Sequence, residues 1–433
     1  MRNTIGTLLF LTLCGAAVSR SGGRAEEKGA TVTLTAEKAK QLAQDRSGRL
    51  ILDHLTALAP DAAKELARHE GWLSLNGLKS LSNETAEALA QHRGQLHLDG
   101  LTALSPEAAR ALARHHGELS LNGLTSLSDE AGVALAKHTG GRLSLKGLKS
   151  LSTKVGQALA QRKGGGPTHK VCLDGVETLT VEAAAALAET HGHNWDGRLP
   201  ALKTVPADVA RALARRPGGL SLEGLTSLSD EAAKALGGKL GGNLPRLTSL
   251  TVESAKAIAG PVPGQFHRTL VLDGLTALPD DVALAIGGKD SRGNLHLNGL
   301  TTLTPVAAKA VCQREGDLYL NGLAAIPDET LKALAEHKSP GYARPVVFLR
   351  GLTKLSDDGA VILAAWPKWS GELPVLTTLS EKAATALASS RNWDGKLPAV
   401  KTLSAETARA IARRQGDLAL DGLAELSDES AAA

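Results

Sequence analysis

Residues 72–82 read Trp-Leu-Ser-Leu-Asn-Gly-Leu-Lys-Ser-Leu-Ser, residues 95–105 read Gln-Leu-His-Leu-Asp-Gly-Leu-Thr-Ala-Leu-Ser, and residues 118–128 read Glu-Leu-Ser-Leu-Asn-Gly-Leu-Thr-Ser-Leu-Ser. These are copies at a spacing of about 23 residues, a period characteristic of stacked repeats. Each continues into an acidic and alanine-rich segment such as Ser128-Asp129-Glu130-Ala131, then a histidine and a glycine, as in His138 and Gly140. Further turns begin at Leu50, Leu73, Leu96, Leu119, Leu143, Val171, Leu199, Leu220, Leu244, Leu270, Leu295, Leu318, Val347, Leu373, Leu397 and Leu418. That makes about sixteen turns, with residues 31–48 as the helical half of a preceding one.

Within a turn, the alternation of Leu73, Ser74 and Leu75 has the period of a short strand, with leucines toward the core. Asn-Gly or Asp-Gly then turns the chain, where glycine accepts positive φ and the Asx side chain bonds nearby backbone. Ser128 suits a helix N-cap, and Asp129 and Glu130 suit the positive end of the helix dipole. Pro106 and Pro305 fit the first helical position. Gly94, Gly117 and Gly140 are expected to close the helices. One strand and one helix cannot bury a core alone, so the turns must stack as a parallel sheet backed by alanine-rich helices. At about 4.8 Å per strand, fifteen steps span roughly 72 Å.

Composition agrees with a thin, layered core: 42% of the 433 residues are hydrophobic but only 2% aromatic. Residues 1–25 read as a secretory signal, with Arg2 before the apolar stretch Thr7 to Val18 and Ser19 or Ala25 as cleavage positions. A lipoprotein cysteine at Cys14 is disfavoured by Leu13, which stands where a small residue belongs. The expected organisation is therefore this signal followed by a single solenoid over 26–433, exported to a periplasmic, cell-surface or secreted location, with no integral membrane span. Removing Arg2, Arg20 and Arg24 from the 49 basic residues leaves 46 against 45 acidic ones, which gives no electrostatic footprint for nucleic acid. Cys172 and Cys312 fall about five turns apart, beyond disulfide reach, and are expected as free thiols.

The pattern Leu-x-Leu-x-x-Leu-x-x-Leu-Ser-Asp-Glu-x-x-x-x-Leu-Ala resembles the leucine-rich repeat family, in particular its cysteine-containing subtype, over nearly all of 31–433. Leucine stands at 78, 101 and 124, where that subtype commonly has cysteine. The resemblance implies an α/β solenoid that binds through its concave sheet. A second kind of turn interrupts the first, in Asn194-Trp-Asp-Gly-Arg-Leu-Pro and Asn392-Trp-Asp-Gly-Lys-Leu-Pro, with looser copies around Leu244 and Leu373. Counted from Leu199 and Leu397 these turns read two residues short. Pro200, Pro245, Pro374 and Pro398 each remove a ladder donor, which predicts breaks in the sheet. The final helix is truncated, which exposes Leu418, Leu420 and Leu423 at an uncapped end.

Outward strand positions form columns. The middle column runs Ser74, His97, Ser120, Ser144, Cys172 and Ser221, then changes to Val271, His296, Tyr319 and Phe348. With Asn298, Asp317, Asn321 and Arg350 around it, this is an apolar and aromatic strip with a polar rim, the anatomy of a protein-binding hot spot, unless the insertion 338–345 covers it. The Asp/Asn column (Asp53, Asn76, Asp99, Asn122 and their equivalents) offers calcium-type oxygens but reads better as a turn-forming ladder. His69, His92, His115 and His138 suggest a metal column but read better as helix-end caps, where a cation suits the dipole. Trp195 and Trp393 either stack on sugars from exposed loops or plug gaps between turns, the second being favoured. No nucleophile elbow, zinc-protease helix, phosphate loop or nucleotide fingerprint occurs. The expectation is a non-enzymatic exported scaffold for a protein partner, without cofactor or metal. Self-assembly through the C-terminal end and glycan binding are the alternatives.

Overall fold

In the computed structural model, residues 33–44, 48–162, 169–189, 194–260, 269–288, 292–336 and 346–425 are described. The signal segment, the insertion 338–345 and the end of the last turn lie outside them. From Pro60–Leu66 to Ala405–Ile411 each described helix follows a strand or bridge, and successive turns hydrogen-bond in parallel, so the chain is an α/β repeat solenoid.

The strands are only two or three residues long because each turn offers one Leu-x-Leu before its Asx-Gly corner. Arg49–Ile51, Trp72–Ser74, Leu96–His97, Leu119–Ser120, Leu143–Ser144 and Val171–Cys172 form one parallel sheet, and Leu270–Val271, Leu295–His296, Leu318–Tyr319 and Val347–Phe348 a second. The pairing puts Leu50, Leu73, Leu96, Leu119, Leu143 and Val171 in register, as the repeat predicts. These residues, Leu75, Leu78 and their equivalents, and Leu89, Leu112 and Leu135 from the helices, merge into one continuous core. Alanines such as Ala86, Ala108 and Ala131 are fully buried and hold the helices close to the sheet. Ser150–Leu151 and Thr178–Leu179 add a small two-stranded sheet that the repeat pattern does not signal.

Helices begin where the caps predict. Ser82, Ser105 and Ser128 accept from the N–H of Thr85, Ala108 and Ala131. Pro60, Pro106 and Pro305 occupy the first turns of their helices. The first-turn polar residues have a second partner besides the helix dipole. Asn83 accepts from Ser105 of the next turn at 2.8 Å, and Asp129 from Ser152 at 2.6 Å. The helices stop earlier than expected, at Leu89, Leu112 and Leu135.

Two expectations need correction. First, the glycine of the Asx-Gly corner is not there for positive φ, which Gly77, Gly100 and Gly123 do not adopt. It is there because turns approach closely: a Cβ on Gly100 would lie 1.9 Å from the Asn76 carbonyl oxygen. Second, Leu199, Leu244, Leu373 and Leu397 do not begin their turns. Val171 pairs with Trp195, Leu220 with Leu240 and Val347 with Trp369, so Trp or Leu at 195, 240 and 369 takes the first core position, and Trp393 stands at the matching place of its own turn. Leu199 takes the second position, since its N–H donates to Ser221 as that of Leu75 does to His97. These turns are therefore longer at the strand. The extra residues are absorbed at Gly197, Gly242, Gly371 and Gly395, all with φ of 79–80°. The following proline sits where ordinary turns carry Asn or Asp. As expected, the ladder is interrupted there: only isolated bridges join the turns between Val171 and Val271 and beyond Val347.

Candidate functional site

Along the first sheet the strand face is closed by its own hydrogen bonds. Ser74, Ser120 and Ser144 are buried and donate to Asp53, Asp99 and Asn122 at 2.6, 2.6 and 2.7 Å. The same Asx oxygens accept the backbone N–H of the next turn: Asp53 from Asn76, Asn76 from Asp99, Asp99 from Asn122 and Asn122 from Lys146, at 2.8–3.0 Å. Burial opposes ionisation of Asp99, but hydrogen bonds from His97, Ser120 and Asn122 outweigh it and hold the carboxyl at about 2. The column is a turn ladder, and its oxygens are engaged by N–H groups rather than converging on an ion.

In the second sheet the ladder continues, with Asp273 accepting from Asn298, Asn298 from Asn321 and Asn321 from Arg350, at 2.9, 3.1 and 3.0 Å. The middle column changes character. His296 and Tyr319 stack with centroids 4.0 Å apart and planes 9° from parallel, and Tyr319 and Phe348 at 4.5 Å and 5°. Val271 is in register beside His296. The Arg350 guanidinium lies 5.2 Å over the Phe348 ring and pairs with Glu372. Asp317 accepts from the N–H of Val346 at 2.9 Å. All the predicted strip residues thus meet on one face, half-buried apart from exposed Arg350. Burial, with the Asp317 charge beside it, pushes the Tyr319 phenol up.

Where a column serine is present, the neighbouring amide donates to it, Asn76 to Ser74 at 2.9 Å and Asn122 to Ser120 at 2.8 Å. His296 and Tyr319 remove that hydroxyl, and among the described residues the amide N–H groups of Asn298 and Asn321 have no acceptor. An aromatic ladder is thereby bordered by a row of hydrogen-bond donors. Beyond it lies a groove of about 360 Å³ lined by Arg350, Glu372, Leu373, Pro374, Lys396 and Pro398. Sequence reasoning missed Glu372 because the Leu373 turn was read out of register. It also missed a second stack, in which Arg49 lies 4.4 Å over Trp72 and Trp72 stacks on His97 at 4.3 Å. That contact is diagonal between neighbouring strands, which a column drawn along one position does not reveal.

The remaining candidates resolve differently. Trp195 and Trp393 are 1% exposed and fill first-core positions, as the favoured reading of them as plugs within the stack has it, and not as exposed sugar-stacking rings. Cys172 and Cys312 are buried, and neither forms a disulfide among the described residues. His69, His92, His115 and His138 are buried, and their rings are nearly parallel at 5.8–6.1 Å. Nitrogens held that far apart cannot share an ion that needs each at about 2.0–2.1 Å. No group of three or more His, Cys, Asp or Glu fit for a metal occurs among the described residues. Two of them bond carbonyls, as expected of caps, but those of the preceding turn: His69 Nε2–H donates to Gly48 at 3.0 Å and His92 Nε2–H to Gly71 at 3.1 Å, while both ring nitrogens of His115 and His138 are buried without a partner. The expected positive charge is corrected by their burial, which favours the neutral ring and lowers His92, His115 and His138.

No helix among the described residues is long and apolar enough to cross a membrane. No family model matches the sequence, and no curated protein matches it. Among solved structures, the chain is similar to the crystal structure of a TLR13–ssRNA13 complex, at 15% identity and a TM-score of 0.35, over 89% of this chain and 63% of that one. It therefore spans less than two thirds of that structure's length. It is also similar to the crystal structure of the Rad7 and Elc1 complex in yeast, at 17% identity and a TM-score of 0.31, over 76% and 81% of the two chains.

Proposed function

We propose that this chain is an exported, non-enzymatic scaffold of the leucine-rich repeat kind that binds a protein partner on the strand face between Val271 and Arg350. The observation that carries the reading is the unbroken stack of His296, Tyr319 and Phe348 in a column that in the first sheet holds mainly buried, hydrogen-bonded serines (Ser74, Ser120 and Ser144). A solenoid needs no aromatic ladder there, since the first sheet closes without one of that length. Such a ladder gives rigid apolar area at low entropic cost, and tyrosine and arginine are the residues on which interface energies concentrate. The amides of Asn298 and Asn321 would meet backbone carbonyls of the partner, so its matching segment is expected to present an apolar side chain flanked by free acceptors.

Affinity capture from the extracytoplasmic fraction of the native host tests this. Partners retained by the wild-type protein are expected to be lost at least about tenfold on Tyr319→Ala/Phe348→Ala, given roughly 2 kcal/mol or more at a hot spot, with the circular dichroism spectrum unchanged. Undiminished retention would overturn the assignment. A second copy docking on the last turn is favoured by one observation, the 37% exposure of Leu418. A strictly monomeric light-scattering mass at high concentration would remove that reading.

A further inference from the structure

Where the chain turns back from helix to strand, one residue per turn fills the corner, and its chemistry changes along the solenoid. In the first turns it is His69, His92, His115 and His138; among the later described turns it is Arg162, Arg216, Lys239, Arg314, Trp366, Ser390 and Arg414. Arg162, Arg216 and Arg314 bond the preceding turn as His69 and His92 do, whereas Arg414 bonds its own turn. Arg162 donates from Nε to His138 at 2.6 Å, Arg216 from Nη2 to Trp195 at 3.0 Å, Arg314 from Nε to Gly293 at 2.8 Å and Arg414 from Nε to Asp417 at 3.1 Å, all to backbone carbonyls.

We propose that the imidazole stack is an acid-sensitive fastener, whose protonation opens the turns from Leu73 to Leu143 while the turns from Val347 onward, where the same place holds Trp366, Ser390 and Arg414, stay closed. The geometry supplies the reason. In His92, whose Nε2–H is directed at the Gly71 carbonyl, a second proton must go on Nδ1. That Nδ1 and both ring nitrogens of His115 and His138 are buried without a partner, and a buried charge with no hydrogen bond is costly. Moreover, the rings are stacked on one another, so each charge added repels the next. The titratable groups that act on these rings are the other histidines of the stack and the Arg162 guanidinium, all cationic when charged, and no carboxylate offsets them. Burial, with the neighbouring His92, holds His115 down to about 4. Burial together with Arg162 and His115 holds His138 down to about 3. Arg162, held at about 10 by burial, stays charged throughout.

The direction follows from linkage. Opened turns take up protons near pH 6.5 and closed turns only near 3–4, so the closed form has its full stability above about 6.5 and loses it as pH falls below that value. At pH 5, a ring held at about 4 when closed favours opening by roughly 30-fold. Aspartate and glutamate side chains are still largely ionised there, which separates this effect from general acid unfolding.

Hydrogen exchange of the full chain at pH 7.5 and pH 5, with labelling times scaled for the intrinsic pH dependence of exchange, tests the proposal. Amides within 73–145 are expected to lose at least about tenfold more protection than amides within 346–411, a segment without histidine. Equal losses in both segments, or none in the first, would overturn it. His115→Gln, which removes one titrating ring without adding a charge, is expected to reduce the loss of protection at pH 5 in the adjoining turns; an undiminished loss in a folded variant counts against the proposal. If that variant does not fold, the wild-type comparison between the two segments still decides.

Discussion

A methyl group at Gly100 would meet the Asn76 carbonyl oxygen at 1.9 Å, in the space where one turn rests on the next. Backbone cannot yield there without separating two turns, so Gly100→Ala is expected to cost about 1–3 kcal/mol. Gly241→Ala has open space around the new methyl and should stay within about 0.5 kcal/mol of wild type. Urea unfolding of the two variants side by side checks this, and equal midpoints would show that stacking is not as tight as the geometry indicates. The Asx residue before each such glycine was legible as a turn former. Its actual partner was not, because Asn76 accepts from Asp99 of the following turn, a bond between residues that are neighbours only once the turns stack.

The element that sequence reading misplaced is the tryptophan turn. Leu199-Pro200 imitates the opening leucine of an ordinary turn, whereas Trp195 fills that site and Leu199 the next. A local signal did exist: Gly197, Gly242, Gly371 and Gly395 each stand two residues before a Leu-Pro pair. What could not be read is that these glycines have positive φ and take up the extra length, leaving the rest of the turn in phase. Trp195 is fully buried, with the Arg216 guanidinium 5.3 Å over its ring. Trp195→Ala should therefore cost about 3–5 kcal/mol, and hydrogen exchange should place the loss mainly in the turns on either side, since each repeat contacts only its neighbours. A loss spread evenly over the chain would contradict that local accounting.

For the whole molecule, the two thiols sit in different parts of the stack and report on its closure. Burial raises both, Cys312 to about 12 with the Glu336 charge adding to it. Because the thiolate is the reactive form, a disulfide reagent at pH 8 is expected to label both at least about 100-fold more slowly in the folded protein than in denaturant. Fast labelling of native Cys172 would mean that the strand face near Asp174 and Asp196 opens readily. The two hydrogen-bonded sheets are separated by the bridge-only turns between Val171 and Val271, which the prolines foretold. The aromatic strip falls wholly within the second sheet.

Repetition made the architecture readable from sequence alone: periodic leucines, caps and Asx-Gly corners state which face of each turn is buried, because one turn cannot bury its own core. The column that gathers Val271, His296, Tyr319 and Phe348 followed from the same register. Stacking decided the rest. It brought the glycine corners within contact of the preceding backbone, put tryptophan into leucine sites, and turned four separate helix-end histidines into one buried column. Each of these depends on distances between residues of different turns, which a repeat sequence implies to be short but does not otherwise specify.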